Sequence, residues 1–218
     1  DAVATVAATC SAALAGPQEP IPLERSLAVS WTRSLALSSP DADLLESWLT
    51  AGVTAEGVPV DPTLRWLALH RLAALGAVDV ERLARERAAD ATVEGVLGEA
   101  RALAARPTVE AKVAAWSALV EDADISNRAF SALAEGLWDV EQAALVGPFV
   151  ESYTRESVDL AIGRGPSFAA MLGRAFPRLR LTRDQVDAFV AELARDDVPT
   201  ALRRSWEDAV DDALRVLG

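Results

Sequence analysis

The chain has 218 residues, enough for one large domain or two small ones with a buried core. Hydrophobic residues make up 51% of it but aromatic residues only 6%, because alanine (44 positions) and leucine (28 positions) supply most of the apolar content. Both have high helix propensity, so an all-α fold is the favoured class. The net charge of −12 argues against binding to nucleic acid or to an anionic membrane, since both require a basic face.

Cysteine, histidine and methionine each occur once. With only Cys10 and His70, the chain has no internal disulfide and lacks the nitrogen and sulfur ligands of a usual zinc site. The single cysteine, together with the lack of a recognisable targeting or transmembrane segment, predicts a cytoplasmic location. Residue 1 is Asp and the only methionine is Met171, which predicts that the sequence is a processed product or a piece of a longer protein.

Helix-breaking and helix-capping residues divide the chain into consecutive helices. Gly16-Pro17 and residues 20–22 predict a break after a first helix, and two glycines and a proline predict a loop at 52–59. Asp61, followed by Pro62, is a good N-cap for a helix. Gly76 is placed to end the same helix in a left-handed conformation. Helices are predicted at about 23–38, around Trp48, and at 61–75, 79–90, 92–105, 107–121, 125–137, 139–153, 155–163, 166–176, 182–195 and 199–217.

The helix at 61–75 is apolar on more than one side, since Trp66 and Leu69 lie off the face that carries Leu64. Such a helix must be packed between neighbours, and no run of alternating residues predicts a strand. The sequence therefore predicts an irregular HEAT/armadillo-like α-solenoid of stacked antiparallel helix pairs, in a single domain over residues 1–218. Pro148 is expected to bend or split the helix at 139–153.

Catalytic residues are scarce. His70 lies in mid-helix without a second histidine or a G-x-S-x-G motif, and no base lies close to Cys10 in the sequence. The Gly163-x-Gly165 pair follows no strand, so it predicts a helix-breaking turn rather than a phosphate loop. No catalytic, metal-binding or cofactor-binding residue is therefore predicted. The six tryptophans, spread among the helices, are expected to be core anchors rather than a ligand cage.

Arg106 and Lys112 flank the start of the helix predicted at 107–121. Residues of this kind are usually solvated. On the concave wall of a solenoid, however, they are placed to meet a peptide carboxylate. They are the candidates for contacts in a substrate chamber.

Two stretches carry a resemblance to a known family. The first is 61–66 (DPTLRW) followed by 71–76 (RLAALG), and the second is 105–116 (ARPTVEAKVAAW). Both resemble the C-terminal helical domain of actinobacterial aminopeptidase N, a zinc-dependent gluzincin aminopeptidase. The similarity continues through Ser126-Asn127, Gly136-Leu137-Trp138, Gln142, 148–153, Phe176-Pro177 and Leu202-Arg203-Arg204.

The resemblance implies a helical domain without catalytic residues that closes over an upstream peptidase domain of the same polypeptide. In the parent metalloprotease, zinc and the catalytic residues lie upstream, and the helical domain shapes the chamber that receives peptide substrates. No activity is expected of this chain alone. The alternative is a free-standing α-solenoid scaffold that binds a protein or peptide partner in its groove.

Overall fold

The computed structural model describes residues 2–15 and 22–217, so the predicted break at Gly16-Pro17 and most of 20–22 lie outside the described residues. In the described part, the only β pairing is an isolated bridge between Val53 and Pro59, and the all-α class is confirmed. The helices are α1 (Ala2–Leu14), α2 (Pro22–Ser38), α3 (Ala42–Ala51), α4 (Pro62–Ala74), α5 (Val80–Ala89), α6 (Val93–Ala105), α7 (Val109–Glu121), α8 (Asn127–Leu137), a 3₁₀ helix (Val140–Gln142), α9 (Ala143–Arg164), α10 (Pro166–Arg174), α11 (Arg183–Leu193) and α12 (Thr200–Leu217).

The helices belong to two compact units, Asp1–Pro107 and Thr108–Gly218. In the first unit α2 packs on α1 and α4, and α6 packs on α4 and α5. In the second, α7 packs on α8 and α9, while α10 and α11 each pack on α9 and α12. This stacking of neighbouring helices confirms the predicted HEAT/armadillo-like fold class. The assignment of residues 1–218 to a single domain stays a prediction.

Both ends of α4 are fixed by local hydrogen bonds. The Asp61 carboxylate accepts from the backbone N–H of Leu64 at 2.7 Å, so it caps the start of the helix as predicted. Gly76 adopts φ 72°, the left-handed conformation expected of it. Ala77 then donates its backbone N–H to the carbonyl of Leu72 at 2.8 Å, which closes the helix with a Schellman motif.

The middle of α4 is buried on both sides, as its sequence predicts. Leu64, Trp66 and Leu69 are 2%, 4% and 0% exposed. The indole of Trp66 lies against Gly98 of α6, where an added Cβ atom would come within 2.3 Å of the ring. The Trp66 Nε1–H donates to Asp90 at 2.9 Å, which gives the buried indole its polar partner. The absence of a side chain at Gly98 therefore sets how closely α4 and α6 approach.

The region of the predicted helices at 139–153 and 155–163 contains the 3₁₀ helix (Val140–Gln142) followed by one continuous helix, α9, so the predicted break between them was wrong. Of the two alternatives predicted for Pro148, the split is wrong as well and the bend stays a prediction. Pro148 lies inside α9 and removes one backbone donor from its second turn. The buried residues Val146, Val150 and Tyr153 lie on either side of that position along the helix. Their burial stabilises the continuous helix by more than the loss of one hydrogen bond.

Candidate functional site

Lys112 is completely buried between α7 and α8. Its ammonium donates to the carbonyl of Gly136, in the last turn of α8, at 3.2 Å. The free carbonyls at a helix C-terminus carry partial negative charge, so they favour a cation there. Burial lowers the pKa of Lys112 to about 8, although the nearby Asp139 acts in the opposite direction. Lys112 thus forms part of the core of the second unit.

Arg106 belongs to the first unit, where it follows the last residue of α6. It is half-buried, with an extended backbone (φ −58°, ψ 137°). The two residues that the sequence pairs around one helix start thus lie in different units and in different environments. Their role as contacts in a substrate chamber stays a prediction.

Tyr153 is the hub of the aromatic core in the second unit. Its hydroxyl donates to the carbonyl of Leu172 at 2.6 Å and accepts from the indole N–H of Trp206 at 2.9 Å. The ring centroids of Trp138 and Phe189 both lie 6.0 Å from that of Tyr153. Burial raises the pKa of Tyr153 far above its usual value, so its hydroxyl remains protonated and serves to position α9, α10 and α12.

A buried ion-pair network links α4 to α5 in the first unit. The Glu86 carboxylate, 8% exposed, accepts two hydrogen bonds from Arg65, at 2.7 and 2.8 Å, and one from Arg82 at 2.8 Å. Burial alone would raise the pKa of Glu86, but these hydrogen bonds lower it below its usual value. Glu86 is therefore ionised and committed to structural pairing, and it is not a candidate for a general acid or base.

The second unit carries an open groove of about 620 Å³. Residues 176–181, a non-helical segment between α10 and α11, form one wall, and α12 forms the other. Ser205, Ala209 and Ala213, which share one face of α12, line that second wall. Arg174, Arg178 and Arg180 also line the groove, and all three are exposed. We call this feature the arginine groove.

The remaining candidates from the sequence have structural surroundings. Cys10 is buried in α1, and burial raises the pKa of its thiol, so the reactive thiolate is disfavoured. His70 is half-buried on α4. Gly165 separates α9 from α10 with φ 86°, which confirms the predicted helix-breaking turn.

Within the described part of the chain, no group of three or more His, Cys, Asp or Glu side chains is arranged to hold a metal ion. None of the helices described has both the length and the hydrophobicity needed to span a bilayer. The predicted cytoplasmic location stays a prediction.

Sequence reasoning overlooked two of these features. Lys112, Ala115 and Leu119 share one face of α7, and this spacing predicts that the lysine is buried. The alternation of arginine and leucine at 178–181 is the corresponding signal for a wall of the arginine groove.

Comparison with known proteins identifies the family. Residues 4–215 match the ERAP1-like C-terminal domain. The chain is also 32% identical over 194 residues to aminopeptidase N of Streptomyces lividans, an alignment that covers 86% of this chain and 23% of that protein. The chain thus spans less than two thirds of the length of this curated relative. The two matches confirm the resemblance to the C-terminal domain of aminopeptidase N. With nearly its whole length matched, the chain belongs to the ERAP1-like C-terminal domain family.

Proposed function

We propose that this chain is the non-catalytic C-terminal domain of a zinc aminopeptidase N, where it closes over the upstream active site and shapes the chamber that receives peptide substrates. The observation that carries the proposal is the family match over residues 4–215, together with the similarity to a curated aminopeptidase N. Its partners are the upstream peptidase domain of the same polypeptide and the peptides that enter the chamber.

The buried polar groups support a wall-forming role. Tyr153, Glu86 and Lys112 each hydrogen-bond to groups of their own unit, so they stabilise helix packing. A rigid helical wall contributes to catalysis by excluding water and by limiting which substrates reach the active site. In this proposal Glu86 and Lys112 stabilise the helical wall and take no part in bond cleavage.

Zinc does not fit the residues of this chain. A catalytic zinc site takes three protein ligands, usually including histidine, whereas His70 is the only histidine here. No cluster of acidic, histidine or cysteine side chains in the described residues replaces that set. We therefore assign the zinc ligands and the general base to the part of the enzyme that this chain does not cover, and no catalytic step is assigned to its residues.

The proposal is tested by comparing the 218-residue chain with the same chain extended upstream through its reading frame. Both are assayed on aminoacyl-arylamides, with and without a zinc chelator. We expect chelator-sensitive hydrolysis from the extended protein and none from the 218-residue chain. Metal-dependent hydrolysis by the 218-residue chain would refute the proposal. An inactive extended protein without H-E-x-x-H and a distant glutamate would favour the free-standing scaffold instead.

A further inference from the structure

Three arginines of the arginine groove have no partner among the described residues. The side chains of Arg174, Arg178 and Arg180 make no hydrogen bond or ion pair with the described residues. This is unexpected in a chain with 33 acidic and 21 basic residues, where an exposed arginine has many carboxylates available. Arg195, also in the second unit, contacts three of them: Asp159, Glu192 and Asp197. Three unpaired guanidinium groups around one groove form a local positive site in an acidic protein.

The segment that carries two of these arginines has free backbone groups. Among the described residues, none of the backbone N–H or carbonyl groups of residues 178–181 has a hydrogen-bond partner. Phe176 and Leu181, which are 8% and 4% exposed, hold the segment in place. Arg178 and Arg180 flank a bend at Leu179, and both are exposed and line the groove. A peptide that lies along this segment can hydrogen-bond to its free backbone groups and bring acidic side chains to the two arginines.

The opposite wall, formed by α12, has fewer unpaired charged side chains. Asp212 forms an ion pair with Arg215 at 2.7 Å, but Arg215 also pairs with Asp211, so two carboxylates share one cation. Asp208 is exposed and makes no ion pair with a described residue. The groove therefore presents three unpaired cations against one unpaired carboxylate, Asp208, and one shared carboxylate, Asp212, while Ala209 and Ala213 of α12 add apolar surface. This balance favours a ligand with several negative charges.

We propose that the arginine groove binds an acidic segment of a partner protein, with carboxylates that pair with Arg178 and Arg180. Arg174 supplies a third cation to the same segment. This docking function is independent of the aminopeptidase role, because it uses no residue assigned to the substrate chamber.

The test is a fluorescence-anisotropy titration of the 218-residue chain with a short labelled peptide in which glutamate alternates with threonine and valine. The control peptide has glutamine in place of every glutamate. We expect saturable binding of the glutamate peptide that weakens in about 0.5 M salt, and much weaker binding of the glutamine peptide. The double variant R178Q/R180Q is expected to bind the glutamate peptide about tenfold more weakly.

Two further variants separate groove binding from general charge effects. Arg204 is exposed on α12 but does not line the groove, so R204Q is expected to change the affinity by less than about twofold. The variant D208N removes the unpaired carboxylate from the opposite wall and is expected to tighten binding about twofold or more. Circular dichroism confirms that each variant retains its helices.

Equal weakening by R204Q and R178Q/R180Q, equal binding of both peptides, or no binding below about 1 mM would overturn the proposal. A full-length protein that no longer binds the glutamate peptide would overturn it as well, because an upstream part of the same polypeptide would then cover the groove. Peptidase activity is not a readout here, so none of these outcomes bears on the proposed aminopeptidase role.

Discussion

At the scale of single residues, the position of Lys112 shows how a buried charge is accommodated. Its side chain is 0% exposed, yet the ammonium has the carbonyl of Gly136 as an acceptor and Asp139 nearby. The partial negative charge at the end of α8 offsets part of the desolvation cost. The pKa of about 8 shows that burial still disfavours the charged form.

The variant Lys112→Met is therefore expected to be more stable than the parent at pH 7, by about 1–3 kcal/mol. The pKa of Lys112 is about 8 in the folded protein against 10.5 for an ordinary lysine. Between these values the unfolded state binds more protons, so the parent gains free energy of unfolding as the pH rises, and the advantage of the variant shrinks. Urea denaturation followed by tryptophan fluorescence at pH 7 to about 10 measures this difference.

A constant difference between parent and variant across this pH range would contradict the buried-ammonium account. The titration of Tyr153 does not affect the difference in stability between parent and variant. Burial raises its pKa, so it lowers stability at high pH, but it does so equally in both proteins.

At the scale of helices, the contact between α4 and α6 depends on a missing side chain. A Cβ atom at Gly98 would lie 2.3 Å from the indole of Trp66, far inside van der Waals contact. The ring is 4% exposed and hydrogen-bonded to Asp90, so it has little room to move. One position on α6 thus controls the packing of α4, whose residues are buried on both sides.

Gly98→Ala is therefore expected to lower the free energy of unfolding by about 1–3 kcal/mol, although alanine has the higher helix propensity. Gly163→Ala in α9 is the matched control, because an added Cβ atom there would have nothing within 4 Å. This control is expected to be neutral or to stabilise by up to about 1 kcal/mol. Thermal unfolding by circular dichroism measures both, and a Gly98→Ala variant as stable as the control would contradict the packing account.

The sequence was a good guide wherever one residue type fixes the local backbone. Asp61 and Gly76 bound α4 as predicted, because a cap depends only on neighbouring atoms. The continuity of α9 past Pro148 was missed, since it depends on burial against helices distant in sequence. The same limit applies to the arginine groove, whose two walls are formed by residues far apart along the chain.

At the scale of the whole molecule, the chain consists of two compact helical units, and one family match over residues 4–215 extends across both. The aligned region is 23% of the length of the Streptomyces lividans aminopeptidase N. Each unit has its own ion pairs, such as Arg65–Glu86 in the first and Arg195–Asp159 in the second. The role proposed for this domain is to shape access to an active site located elsewhere in the polypeptide.

The most direct test compares the full-length protein with a version that lacks residues 1–218 and retains its fold by circular dichroism. The kcat/KM is measured for an aminoacyl-arylamide and for peptides of increasing length. We predict that removal changes the ratio of kcat/KM between long and short substrates by at least about tenfold, equivalent to about 1.4 kcal/mol of transition-state discrimination. The same ratio with and without residues 1–218 would contradict the account.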